Sequence, residues 1–191
     1  MLTIGHSTLP LDTFLRILVE NGVSTLADIR TIPKSRHNPQ FARESLSRAL
    51  ADKSVAYCWL PLLGGLRKPV RGSALNAGWV NPSFRGYADY MQTPEFSAGL
   101  EELLALAPQS ATAIMCAEAV PWRCHRSLVA DALEVRGLHV FHILYNKDGV
   151  GQRRPHSLAR FAQTEGTRLW YPAEKTLFPD EDVEPGAQRA S

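Results

Sequence analysis

The chain has 191 residues, 45% of them hydrophobic, with 21 basic residues against 19 acidic ones and three cysteines. These proportions exclude collagen-like, disordered and disulfide-scaffold classes and fit a single α/β domain over residues 1–171. The opening MLTIGHSTLP lacks the basic and apolar regions of a signal peptide, and no apolar run approaches the roughly 20 residues that span a bilayer, so a cytoplasmic protein without a membrane partner is expected.

Leu2-Thr3-Ile4 reads as a short strand ending at Gly5, and Leu11, Phe14, Leu15, Leu18 and Val19 recur at helical spacing until Gly22 stops them. A second strand is predicted over residues 25–29, followed by a polar loop over 31–40. Phe41, Leu46 and Leu50 then mark a helix ending near Asp52. A third strand over residues 55–60 stops at Pro61. Residues 63–82 show no periodicity and carry Gly64-Gly65, Pro69, Gly72 and Gly78, the pattern of a functional or inserted loop. Phe84, Tyr87, Ala88 and Met91 predict a short helix, and Thr93-Pro94 fits the cap and first position of another. A fourth strand over residues 111–116, a helix over 121–136 ended by Gly137 and a fifth strand over 139–144 complete the pattern. Alternating strands and helices predict a three-layer, Rossmann-like α/β domain with a mainly parallel sheet of about five strands.

The net charge of +2 averages unlike segments. Residues 30–85 hold ten basic residues against Glu44 and Asp52, whereas residues 172–191 hold five acids against Lys175 and Arg189. The basic stretch points to an anionic ligand and the acidic end to a flexible tail.

In a parallel sheet the ligand site lies outside the carboxyl ends of the strands. The residues there are His6 and Ser7, Asp28 and Arg30, Gly64 and Gly65, and Cys116 and Glu118, joined by Cys124, His125 and Arg126 from the following helix. Arg30 and Arg126 are the candidate anion clamp, with N–H groups at the start of the residue-121 helix assisting. His6, Glu118 and His125 are candidate proton carriers, Glu118 through partial burial of its carboxyl group. Cys116, at a strand end facing a helix start, is a candidate nucleophile. The tight Cys-to-Arg loop of cysteine phosphatases is shorter than the stretch from Cys116 to Arg123, which has six residues between, includes Pro121 and lacks glycine. The cysteines, His125, Glu118 and His6 match no standard zinc spacing, so no metal is assigned. His139 and His142 read as structural, and His37 and His156 as loop groups.

In order, Thr3-Ile4-Gly5-His6-Ser7, Asp28-Ile29-Arg30 with Pro33 and Ser35, Leu60-Pro61-Leu62-Leu63-Gly64-Gly65, Phe84 with Tyr87-Ala88 and Tyr90-Met91, and Met115-Cys116-Ala117-Glu118 with Pro121 and Cys124-His125-Arg126 resemble domain of unknown function 488 (DUF 488). The resemblance runs from about residue 2 to 144 and implies a bacterial or archaeal α/β protein without an established reaction.

The leading expectation is an enzyme that binds a phosphate-bearing ligand, a nucleotide or nucleic-acid component, and performs hydrolytic or group-transfer chemistry. No G-x-G-x-x-G follows the first strand, and no cofactor is indicated. Two alternatives stand beside it. One is a nucleic-acid-binding accessory protein using the basic stretch with Tyr57, Trp59 or Trp79 stacking on bases. The other is a thiol redox or sulfur-carrier protein using Cys116 and Cys124.

Overall fold

A computed structural model describes residues 1–34, 36–146 and 148–173. The strands β1 (Leu2–Gly5), β2 (Thr25–Asp28), β3 (Ala56–Trp59), β4 (Thr112–Cys116), β5 (Phe141–Tyr145) and β6 (Gly151–Pro155) form one sheet in the order β3-β2-β4-β1-β5-β6. The first five are parallel, and β6 runs antiparallel to β5 along its edge.

Side chains alternate across the sheet, and the alternation sorts them into two cores. Leu26, Ala113 and Met115 pack with α1 (Leu11–Glu20) and α2 (Arg43–Ala51). Ala27, Ile114 and Cys116 pack on the other face with α3 (Pro82–Tyr90), α4 (Pro94–Leu106) and α5 (Arg126–Glu134). All five β4 residues are buried, as a strand covered on both faces requires. The result is the three-layer α/β architecture expected from the sequence.

Local chemistry sets the element ends. Gly22 follows α1 with φ of 64°, the left-handed conformation that releases a helix most cheaply at glycine. Thr93 Oγ1 accepts from the Phe96 N–H at 3.3 Å, capping α4 with Pro94 at its first position. The irregular stretch after residue 63 is held by Asn76, whose side chain donates to Asp89 Oδ1 (2.8 Å) and accepts from the Tyr171 N–H (2.9 Å).

One expectation needs correction, and a further stretch adds elements for which none had been predicted. The helix predicted from residue 121 is two pieces: a 3-10 turn over Pro121–Arg123, then α5 from Arg126, with Cys124 extended between them (φ −134°, ψ 142°). The turn uses up the Arg123 and Cys124 N–H groups on Val120 and Pro121 carbonyls, so they are not offered to an anion. The chain after residue 144 adds β6 and a small hairpin of β7 (Gln163–Glu165) and β8 (Arg168–Trp170), followed by the buried Tyr171. Of the acidic tail predicted over residues 172–191, all but Pro172 and Ala173 lies outside the described residues. Among the described residues, no helix is long and apolar enough to cross a membrane.

Candidate active site

β4 lies between β1 and β2, and the chain leaves β4 toward the α5 face while β1 and β2 feed helices on the opposite face. Connections that part in this way open a crevice at the strand ends, and Cys116 is the last residue of β4. Here the structure has a cavity of about 470 Å³. Of the residues predicted for the site, His6, Ser7, Arg30, Gly65, Cys116, Glu118, Cys124 and His125 line it. Asp28, Gly64 and Arg126 do not; they stand behind the wall.

The β1 and β4 exits are tied together. The His6 N–H donates to the Cys116 carbonyl (3.0 Å), and the Ser7 N–H to the Ala117 carbonyl (2.8 Å). Ser7 adopts φ of 45°, a left-handed conformation that costs free energy in a residue with a side chain and is held here by these bonds. Gly5 is needed for a different reason. A Cβ at this position would overlap the Glu118 carbonyl oxygen and sit 2.5 Å from Arg126 Nη1.

Arg126 is fully buried. Its Nη1 donates to Cys116 Sγ at 2.7 Å and to the Glu118 carbonyl, and its Nη2 donates to the Ala119 carbonyl at 2.7 Å. No carboxylate pairs with it among the described residues. A buried guanidinium without a counter-charge costs several kcal/mol, and the Cys116 thiolate is the group placed to supply that charge. Burial pushes the Cys116 thiol up, but a hydrogen bond from Cys124 and the charge and N–H of Arg126 outweigh it and bring it to about 7. Arg126 is thus engaged by the Cys116 sulfur and by the Glu118 and Ala119 carbonyls, and of the two arginines predicted as a clamp only Arg30 lines the cavity.

Arg30 is aimed by its neighbours. Its Nε and Nη2 grip the buried Asp28 carboxylate at 2.9 and 2.5 Å, Nη2 also reaches the Phe41 carbonyl, and Nη1 donates to His6 Nε2 at 3.2 Å. Tyr57 Oη donates to Asp28 as well. Five N–H groups less these four leave one Nη1 donor without a partner among the described residues.

The histidines are fixed by what their partners can do. The Ser7 carbonyl can only accept and the Arg30 guanidinium can only donate, so His6 carries its proton on Nδ1 and a lone pair on Nε2. Burial, first of all, lowers it to about 4, so the ring is neutral and stacks on Phe41. Both ring nitrogens are engaged within the protein, on the Ser7 carbonyl and on Arg30. His125 donates from Nε2 to the Ile29 carbonyl (3.1 Å) and turns Nδ1 toward Cys124 Sγ (3.6 Å). It too is lowered to about 4, mainly by burial. Gly65 leaves room for this ring, since a Cβ there would meet His125 Nδ1 at 2.9 Å. Cys124 is pushed well above an ordinary thiol, by burial and then by Cys116. Its thiol has His125 Nδ1 as a neighbouring acceptor at 3.6 Å.

Glu118 departs from expectation, because its side chain is exposed at the rim while its carbonyl serves Arg126. The sequence reading also passed over Lys34, Asn38 and Thr31 in the wall. Lys34 was visible as part of the basic stretch. No group of three or more His, Cys, Asp or Glu side chains able to hold a metal occurs among the described residues.

Fold and site define an α/β protein with an arginine-paired cysteine at the switch point of a parallel sheet. The chain belongs to the family described as domain of unknown function DUF488, whose model matches residues 10–133. That stretch holds Arg30, Cys116, Cys124, His125 and Arg126, with His6 and Ser7 just ahead of it. No curated protein and no solved structure matches the chain.

Proposed function

We propose that the protein is an enzyme of group-transfer or hydrolytic type in which the Cys116 thiolate attacks the phosphorus of a small phosphate monoester. An S–P bond forms as the P–O bond breaks and the leaving alcohol takes a proton, after which water or an acceptor alcohol displaces the sulfur. The observation that carries this reading is the Arg126–Cys116 pair, which ionises a thiol at the floor of a cavity near neutral pH. The open Arg30 donor and Lys34 give the same cavity a preference for anions. Glu118, at the mouth, is the proton-transfer group of this reading. The test is calorimetry with a panel of nucleoside monophosphates and sugar phosphates, followed by mass spectrometry of the intact chain for a covalent adduct. Binding that Arg30→Gln weakens about tenfold, with an adduct that Cys116→Ser abolishes, supports the reading. Glu118→Gln should retain ligand and lose turnover. If no phosphate compound binds, the substrate class is wrong.

A second reading is favoured by Cys124, a second buried free thiol lining the same cavity as Cys116. A hydroperoxide attacked by the Cys116 thiolate gives a sulfenic acid and an alcohol, and Cys124 then displaces water to form a disulfide. Peroxide-treated protein that shows no Cys116–Cys124 bridge removes this possibility. The nucleic-acid alternative gains nothing from the aromatic side chains named for it. Tyr57 is bonded to Asp28, Trp59 donates to the Arg30 carbonyl under the Arg43 guanidinium, and Trp79 packs among Phe84, Phe161 and Tyr171.

A further inference from the structure

On the far side of the Pro121–Arg123 turn, between α5 and the β5–β6 edge, lies a second cavity of about 300 Å³ that shares no lining residue with the first. Its size is at the lower end of the range for small-molecule sites. Its floor is a buried polar chain. Tyr171 Oη donates to Asp131 Oδ2 (2.7 Å), Asp131 Oδ1 meets His156 Nε2 (2.7 Å), His156 Nδ1 meets His142 Nε2 (2.9 Å), and His142 Nδ1 meets Thr3 Oγ1 (2.7 Å). With the Thr3 hydroxyl donating, every bond from Thr3 to the Asp131 carboxylate runs in one direction. Both carboxylate oxygens of Asp131 are occupied. The floor is therefore polar, with its hydrogen bonds satisfied internally and Asp131 buried beneath His156 and Tyr171.

The walls are different. Trp122 is 61% exposed, although it is the largest type of apolar side chain, and it stands at the cavity edge. Arg154 on β6 holds its guanidinium 6.0 Å from the Trp122 ring centre and has no carboxylate partner among the described residues. Trp79 forms part of the opposite wall, with a buried Nε1 that finds no acceptor among the described residues. Pro121 and Pro155 add flat apolar surface. Asp131 is buried in the floor, whereas Arg154 is exposed at the rim, where it would repel a cationic ligand. No grouping among the described residues has the donors for a metal. What remains is a ring to lie on the indole and an acidic group for the cation.

We propose that this second cavity binds a flat aromatic anion of one or two fused rings, with its ring against Trp122 and its acidic group on Arg154.

Calorimetry on the full chain with naphthoate and indole carboxylate, and with naphthamide as the uncharged counterpart, tests this. The expected result is saturable binding of one carboxylate per chain, weakened about tenfold in naphthamide, in Arg154→Gln and in Trp122→Ala, and unchanged in Lys34→Gln, which changes an exposed residue lining the first cavity alone. Both variants change exposed side chains, so their folding is checked by circular dichroism alone. Absence of saturable binding by either carboxylate, or wild-type affinity in either variant, overturns the proposal. Loss of binding in Lys34→Gln does so too, because it would move the ligand to the first cavity.

Discussion

Arg126 Nη1 stands 2.7 Å from Cys116 Sγ, and the two groups are buried together with no carboxylate beside them among the described residues. Each stabilises the charge of the other. Cys116→Ala should therefore strand a buried guanidinium and cost about 3–5 kcal/mol, far more than the loss of one small side chain. Arg126→Met added to Cys116→Ala should recover much of that loss. Urea denaturation of the two single variants and the double variant measures the coupling; additive losses would mean that the two groups do not act as a pair.

Gly5 is required by the same pair, because any Cβ there collides with the Glu118 carbonyl that Arg126 holds. Gly5→Ala should destabilise the fold by about 3 kcal/mol, in the range of overpacked sites. A melting temperature within a degree of wild type would show that the crossing is looser than described.

Acid should weaken the protein through its histidines. His6 and His125 are lowered to about 4 and His142 to about 3, in each case chiefly by burial. Below the ordinary histidine value of about 6.5 the unfolded chain takes up protons that the folded chain refuses, so stability falls as pH drops from about 6.5 toward 4. Thermal melts across that interval should decline steadily, and His142→Gln should flatten part of the slope. A flat profile would place these rings in contact with water.

Asp28 and Tyr57 rank differently although they touch each other. Asp28 is the charge partner of Arg30 and receives four donors, the Arg30 N–H, Nε and Nη2 and the Tyr57 hydroxyl. Asp28→Asn should cost about 3 kcal/mol and weaken anion binding, whereas Tyr57→Phe removes one hydrogen bond and should cost about 1.5 kcal/mol. Denaturation curves giving the reverse order would contradict the assigned geometry.

The sequence displayed those features that depend on neighbours along the chain. The helical spacing before Gly22, the Thr93-Pro94 cap and the buried run ending at Cys116 follow from local periodicity and turn chemistry, and so does the gathering of chemistry at one rim. The rest depended on distant partners. β6, with sequence Gly151-Gln152-Arg153-Arg154-Pro155, has no apolar alternation because it is exposed throughout and exists by pairing with β5. The break at Cys124 was hidden because Pro121 and the downstream apolar spacing fit a continuous helix, while the actual path is tied to Arg126 reaching back to the Glu118 and Ala119 carbonyls. The basic stretch reads differently in three dimensions. Arg30 pairs with Asp28, Arg43 covers Trp59, Arg67 lies 3.6 Å from the Tyr90 ring centre and Arg85 bonds the Ser73 carbonyl, so several of its charges hold the fold together.

The most direct test of the central claim is the pH dependence of Cys116 alkylation by iodoacetamide in the native protein, with the modified residue located by mass spectrometry. The Arg126–Cys116 pair predicts a rate that rises with a midpoint near 7, and a midpoint displaced upward by more than one pH unit in Arg126→Met. A wild-type midpoint at or above the ordinary thiol value of about 8.5, unmoved by Arg126→Met, would contradict the thiolate and with it the assigned nucleophile.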